Sequence, residues 1–342
     1  MRCDIFNFAK NHKKTIITVA GLAITSVPAV YYFLKNNEES SLKINEKWED
    51  EYINKVDTLK KKHEYLLSAY SSVCQSRMKK YLLNIIEIID KIYDIESLKK
   101  QVMEAETSGA RAKAFKILGK TVIARDISFS IITSCMIFAL ECQANVIAHE
   151  MANQSKFNNS SNSVDSEALY IQTFLRMISL FISENNLKNI TKKVNEIVFV
   201  DMEPVDLKKS FTKKEFIDTL VVLGKAVLRD NFFQNISDKF VSNMNFVRQQ
   251  EIELVILFEN YVYLLKNVCK NNLLELLVER YLTNFGFKIF SKIESDNCYY
   301  IGLIPQISET YNETAFQNGN LNVNDIICDI QKICYDKLTN KA

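Results

Sequence analysis

Glycine and proline are scarce in this chain of 342 residues: 7 and 3, where average usage would place about 24 and about 17. Sandwiches, barrels and α/β sheets need many tight turns, and tight turns draw on these two residues. Their scarcity points to an all-helical chain. It also removes the glycine loops that cradle phosphates, since neither GxGxxG nor GxxxxGK followed by Ser or Thr occurs. Histidine is scarce too. His12, His63 and His149 are far apart in sequence, and although Glu150 follows His149, no second histidine completes HExxH. No CxxC pair is present, so the common zinc spacing is missing. Charge of one sign is lacking as well: 43 basic residues meet 41 acidic ones, for a net +2. A dedicated nucleic-acid binder shows a basic excess, which this chain does not have. What it does have is 47% hydrophobic and 25% charged residues, the balance of a folded protein. No constellation for acid–base, covalent, metal or cofactor chemistry emerges, and the reading is of a protein that is not an enzyme.

The eight cysteines are Cys3, Cys74, Cys135, Cys142, Cys269, Cys298, Cys328 and Cys334. Cys135 and Cys142 fall inside an apolar helical run, where a thiol behaves as a small hydrophobe. A chain this long does not need disulfides to hold a core, so reduced, buried thiols are expected.

Long hydrophobic runs are present. Thr15 to Leu34 is 20 residues without a charge, enough at about 1.5 Å per residue to cross a hydrocarbon layer about 30 Å thick. Lys13, Lys14 and Lys35 close its ends, and Tyr31, Tyr32 and Phe33 resemble an interfacial aromatic belt. A signal peptide cut near Ala29 is the alternative. The run exceeds the usual apolar length of such peptides, which favours an uncleaved anchor in contact with lipid. The basic N-terminus places itself in the cytosol by the positive-inside rule, whereas a lumenal bulk with eight cysteines and no disulfide framework argues the reverse orientation. Six N-x-Ser/Thr sequons, at Asn153, Asn158, Asn159, Asn189, Asn235 and Asn312, arise by chance in an Asn- and Ser-rich chain.

Four segments follow: a short basic N-terminus (1–14), a transmembrane helix (15–34), a polar linker (35–47) and a helical-bundle domain (48–342). Within the last, periodicity predicts a long helix from Trp48 to about Glu106, solvated as far as His63. Its stretch YLLNIIEIIDKIY, from Tyr81, is buried on most of its surface, with Asn84, Glu87, Asp90 and Lys91 as a polar stripe. The Glu87–Asp90 carboxylate pair belongs to that stripe rather than to chemistry. Thr107 to Gly109 break the helix, and the next runs from about Ala110 to Ala152. Its 14 uncharged residues from Ile127 to Leu140 are too few for a span and suit a buried core helix. A polar loop (153–165), a core helix (167–183) and a further helix (185–199) follow. Thr212 and Glu215 have capping-box spacing ahead of a helix to Leu228. Helices over 232–247 and 250–284, an irregular stretch over 285–322 and an amphipathic helix over 323–338 complete the chain. No internal repeat is visible. The fold class is all-α: a single large helical bundle on an N-terminal transmembrane anchor.

The stretch RDISFSIITSCMIFALECQANVIA, from Arg125 to Ala148, resembles the peroxin-3 family of peroxisomal biogenesis factors. Arg125 stands at the arginine of the family's Thr-Arg pair. Gln143, Asn145, Val146 and Ile147 match its QLNI end, while Glu141 replaces an arginine of that helix. Glu96 to Leu98, LRDNFFQNISDKFV from Leu228, IGLIP from Ile301 and the last helix follow in the family's order.

The resemblance implies a helical bundle facing the cytosol on a single-pass peroxisomal membrane anchor, and so sides with the cysteines on orientation. It implies a docking receptor for the cargo-loaded chaperone peroxin-19, supporting insertion of peroxisomal membrane proteins. The chaperone's amphipathic helix would lie in an apolar groove at the end of the bundle far from the membrane. The family's groove tryptophan corresponds to Phe115, its lysine to Arg111, and its upstream leucines to Val102 and Met103. Arg111, Phe115 and Leu118 are spaced i, i+4, i+7 and share one helix face. Inheritance or autophagy adaptors are further implied partners. The rival readings are a membrane-anchored or secreted helical enzyme and a secreted parasite effector.

Overall fold

A single aspartate ends the first helix. In the computed structural model, which describes residues 48–153, 171–234, 252–268, 272–293, 295–316 and 323–341, helix α1 runs from Trp48 to Tyr93. Asp94 follows with φ 37° and ψ 58°, in the left-handed region. Asp tolerates that region because its short polar side chain bonds locally: its Oδ1 accepts the Ser97 N–H at 3.2 Å and caps α2 (Ile95–Glu104). The single helix expected from Trp48 to Glu106 is therefore two. After the break at 105–107, Thr107 Oγ1 accepts the Ala110 N–H, and α3 runs from Ser108 to Asn153.

α3 is apolar around its whole circumference, so every side of it must be covered. Each residue from Leu118 to Ala148 is buried. By length and composition alone α3 could cross a membrane, but the stretch that qualifies is enclosed in protein. α1 covers most of one side, and the remaining helices close the rest. They are α4 (Ile178–Phe181), α5 (Glu184–Asp201), α6 (Lys213–Arg229), α7 (Asn231–Gln234), α8 (Ile252–Val268), α9 (Leu273–Ser291), α10 (Tyr300–Phe316) and α11 (Asn324–Thr339). All of these except α7 pack substantially against α3, as does α2.

α1 and α3 are antiparallel, since Tyr93 bonds Ala124 O and Ser128 Oγ, Asp90 pairs with Arg125, Ser71 bonds Glu141, and His63 approaches His149. The α2–α3 corner thus lies at the end of the bundle opposite residue 48. Two histidines that look scattered in sequence meet toward the other end of the α1–α3 pair, with ring centres 6.4 Å apart. Burial, reinforced by His149, pulls His63 down to about 4, and burial lowers His149 as well. Among the described residues no cluster of three or more His, Cys, Asp or Glu could hold a metal ion.

The capping box is present as read: Thr212 Oγ1 accepts the Glu215 N–H at 3.2 Å, and Glu215 Oε2 accepts the Thr212 N–H at 2.9 Å. α6 then packs antiparallel on α9 through two glycines. A Cβ at Gly224 would sit 2.5 Å from Leu282 Cδ1, and one at Gly286 2.5 Å from Ile217 Cγ1. Cys74, Cys135, Cys142, Cys298, Cys328 and Cys334 form no disulfide among the described residues, and Cys135 and Cys142 are buried as expected.

Several sequence expectations need correction. The stretch from residue 285 is not irregular: Gly286 lies inside α9, where it permits close packing, and Pro305 lies inside α10. The helix expected over 250–284 is two, with Asn272 at φ 54° before the second. The helix expected over 167–183 is broken by a turn at Met177. Tyr81 to Tyr93 buries one face rather than most of its surface, and Leu83 joins the expected polar stripe in solvent. Two three-residue strands add to the helices: β1 (Ser210–Thr212) pairs antiparallel with β2 (Asn297–Tyr299) in the register Phe211 to Cys298. The anchor at 15–34, the flanking segments 1–14 and 35–47, most of the 153–165 loop and most of the 232–247 helix lie outside the described residues.

Polar side chains are carried into the interior on α3. Arg125 stacks its guanidinium 3.9 Å from the centre of the Tyr311 ring, lies 3.7 Å from Asp90, and donates to Ser308 Oγ at 3.3 Å. Asp126 is 0% exposed, and neither carboxyl oxygen has a hydrogen-bond partner among the described residues. Burial pushes its carboxyl well above the ordinary range, only partly opposed by Arg125, because an isolated charge in a protein interior is costly. A raised carboxyl makes the folded state bind more protons than the unfolded chain. Its stabilising contribution is therefore complete in acid and declines as pH rises past the unfolded value near 4. Asp126→Asn removes that dependence. Thermal unfolding of both proteins should show the variant gaining on the wild type as the pH is raised from about 4 toward neutrality. A gap that stays constant over this range would show that Asp126 is not the titrating group.

Candidate partner-binding surface

The α2–α3 corner is built by short-range bonds. Arg111 Nη2 donates to Ala105 O at 3.1 Å, and the Arg111 N–H bonds Thr107 O at 2.9 Å. These tie the first turn of α3 to the end of α2. Residues 106 to 113 are all exposed, and a Cβ added at Gly109 would meet nothing within 4 Å. The start of α3 therefore stands clear of the rest of the bundle.

The face shared by Arg111, Phe115 and Leu118 descends from solvent into the core. Arg111 is exposed, Phe115 is half-buried and packed against core side chains, and Leu118 is buried. The same contrast divides the two α2 residues, for Val102 is a core side chain while Met103 is 80% exposed. Burying one and exposing the next follows from helix geometry, as adjacent positions lie about 100° apart. A docking partner can thus reach Met103, Arg111 and the outer edge of Phe115, whereas Val102 and Leu118 support them from behind.

Sequence reasoning missed two features of this corner. Ile117 is 46% exposed, an apolar side chain in solvent on the same stretch of α3. Its only signal was its place two residues beyond Phe115, off the face that the i, i+4, i+7 spacing defines. The other is an ion cluster. Glu203, just after α5, accepts from Lys116 at 2.9 Å and from Lys120, which is itself buried. Bonds from Lys120 and Lys116 hold the Glu203 carboxyl down at about 2. Lys120 also lies 5.4 Å from the Phe199 ring centre. This cluster fastens the base of the projecting helix to α5, and both lysines share the one Glu203 carboxylate. Arg111 differs: its guanidinium meets a backbone carbonyl, and no carboxylate pairs with it among the described residues. The corner therefore presents apolar side chains beside an uncompensated positive charge. That suits an amphipathic helix with an acidic residue next to its apolar stripe.

No protein-family model matches this chain, and no curated protein matches it.

Two measurements separate a docking role from a packing role for Phe115. Phe115→Ala should weaken binding of an acidic amphipathic helix by about 2 kcal/mol, near thirtyfold. Its stability loss should stay below the 3–5 kcal/mol typical of a fully buried phenylalanine, about 1–2 kcal/mol, because the ring is only half-buried. Arg111→Glu should slow association and steepen no unfolding transition. Calorimetric titration paired with thermal unfolding reads both quantities. Unchanged affinity in a folded Phe115→Ala protein would remove Phe115 from the surface.

Proposed function

We propose that this chain is a non-enzymatic docking receptor of the peroxin-3 kind. It captures the amphipathic helix of a soluble peroxin-19-like chaperone and brings cargo-loaded chaperone to the peroxisomal membrane. The reading is supported above all by one observation: Met103, Arg111 and Phe115 lie at the end of the bundle opposite residue 48, with Ile117 exposed on another side of the same stretch of α3. A chain anchored through residues 15–34 would hold that corner out in the cytosol, where a soluble carrier can find it. The work consists of binding and release, driven by burial of apolar side chains and steered by Arg111. Inheritance or autophagy adaptors would use other faces of the bundle.

Met103→Glu combined with Ile117→Glu tests the corner without disturbing the core, because both side chains already face water. The pair should abolish retention of a peroxin-19-type amphipathic peptide on the immobilised full-length protein while leaving the circular dichroism spectrum and melting temperature unchanged. Full retention would eliminate the corner as the docking site. In parallel, a fluorescent fusion carrying residues 1–40 should stay in the membrane pellet after alkaline carbonate extraction. Release at full size, or a new N-terminus near Ala29, would refute the anchor.

A further inference from the structure

A second surface feature lies on the flank of the bundle, away from the α2–α3 corner. α1 and α11 border an open cleft of about 440 Å³ lined by Glu64, Leu67, Ser68, Ser71, Ser72, Gln75 and Gln331. The α1 residues fall at i, i+3, i+4, i+7, i+8 and i+11, so one helix face forms a whole wall. That wall offers three hydroxyls, an amide and a carboxylate. No lysine or arginine lines the cleft.

Glu141 of α3 lies directly behind the lining. It is 3% exposed, and its Oε2 accepts from Ser71 Oγ at 2.9 Å and from Gln331 Nε2 at 2.7 Å. The same Gln331 nitrogen lies 3.1 Å from Ser71 Oγ. Its other oxygen, Oε1, takes no hydrogen bond among the described residues. Among the described residues no cation acts on it: burial raises its carboxyl, and the Gln331 and Ser71 bonds work against that. Buried glutamates are almost always paired with a positive charge. Here the described residues supply two neutral donors and no cation, and the cleft opens on the far side of those donors.

We propose that this cleft is a binding site for a small organic ammonium ion, with Glu141 as its counter-charge. The ammonium group has three donors and no acceptor, and the lining offers it the hydroxyl oxygens of Ser68, Ser71 and Ser72 and the amide oxygen of Gln75. Leu67 offers an apolar flank to the methylene chain. Exposed Glu64, also in the lining, attracts the same charge and can hold the second ammonium of a diamine. An anion is excluded by the two carboxylates, and a neutral alcohol leaves the Glu141 charge as it was. The site is independent of the docking surface, so either can fail without the other.

The test uses the full-length chain in nanodiscs, titrated calorimetrically with putrescine, with butane-1,4-diol as the neutral analogue of the same length. Putrescine should bind saturably and raise the melting temperature, and the diol should do neither. Glu141→Gln keeps the shape and one acceptor oxygen but removes the charge, and should weaken putrescine binding about tenfold or more. Should that variant fold poorly, Ser68→Phe fills the cleft from its exposed wall without touching the Glu141 bonds, and it should block binding while preserving the melting temperature of the free protein. Absence of saturable putrescine binding to the wild type, equal binding of the diol, or undiminished binding to a folded Glu141→Gln or Ser68→Phe protein would each overturn the proposal.

Discussion

A helix that is apolar on every side has no face to give to water, and this constraint organises the molecule. α3 is buried without interruption from Leu118 to Ala148. A helix covered on one stripe needs one neighbour; one covered all round needs a ring of them. The other helices supply that ring, which explains why α3 contacts nearly every other element. The mechanism is burial of apolar surface, at roughly 25 cal/mol for each Å² removed from water. Close approach then depends on small side chains. Gly119 lets Tyr300 and Ile304 of α10 rest on the α3 backbone, and Gly224 and Gly286 do the same between α6 and α9.

Enclosure creates a second problem, because α3 also carries polar and charged residues. Each is handled differently. Thr121 bonds back to Ile117 O at 2.8 Å and the Asn145 amide nitrogen to Glu141 O at 2.9 Å, so the helix itself takes up these two donors. Gln143 reaches across to Phe174 O. Lys120 finds Glu203 outside the core. Arg125 spreads its charge over an aromatic face, a carboxylate and a serine. Asp126 has none of these and is driven toward its neutral form. Glu141 receives two neutral donors, from Ser71 and Gln331. The two acids therefore mark where the packing of α3 is least self-sufficient.

Much of this architecture is legible in the sequence, because apolar periodicity and turn chemistry are local. The limits of α3, the Thr212–Glu215 cap and the buried face of α11 all follow from residues within a few positions of one another. The errors share a cause. Asp94 adopts a left-handed turn that an uninterrupted helical pattern conceals, and Pro305 and Gly286 look like breakers although neighbouring helices hold them in place. At the α2–α3 corner, spacing alone put Arg111, Phe115 and Leu118 on one face. It carried no information on the gradient of exposure along that face, which depends on where α2 and α10 stop. The meeting of Ser71, Glu141 and Gln331 was beyond reach altogether, since these residues come from three separate helices.

The antiparallel pairing of α1 and α3 also fixes a stand-off distance. α1 has 46 residues, and at about 1.5 Å per residue it is a strut roughly 70 Å long. Whatever is joined to the chain before residue 48 is separated by that length from whatever is held at the α2–α3 corner. A strut braced along its side by a second helix does not fold back to close the gap. A partner in contact with both ends must then span that length itself. An extended polypeptide reaches at most about 3.3–3.6 Å per residue, so roughly 20 residues of unstructured chain would cover the distance. The bundle thereby sets a minimum tether length for any partner that is to act at both ends at once.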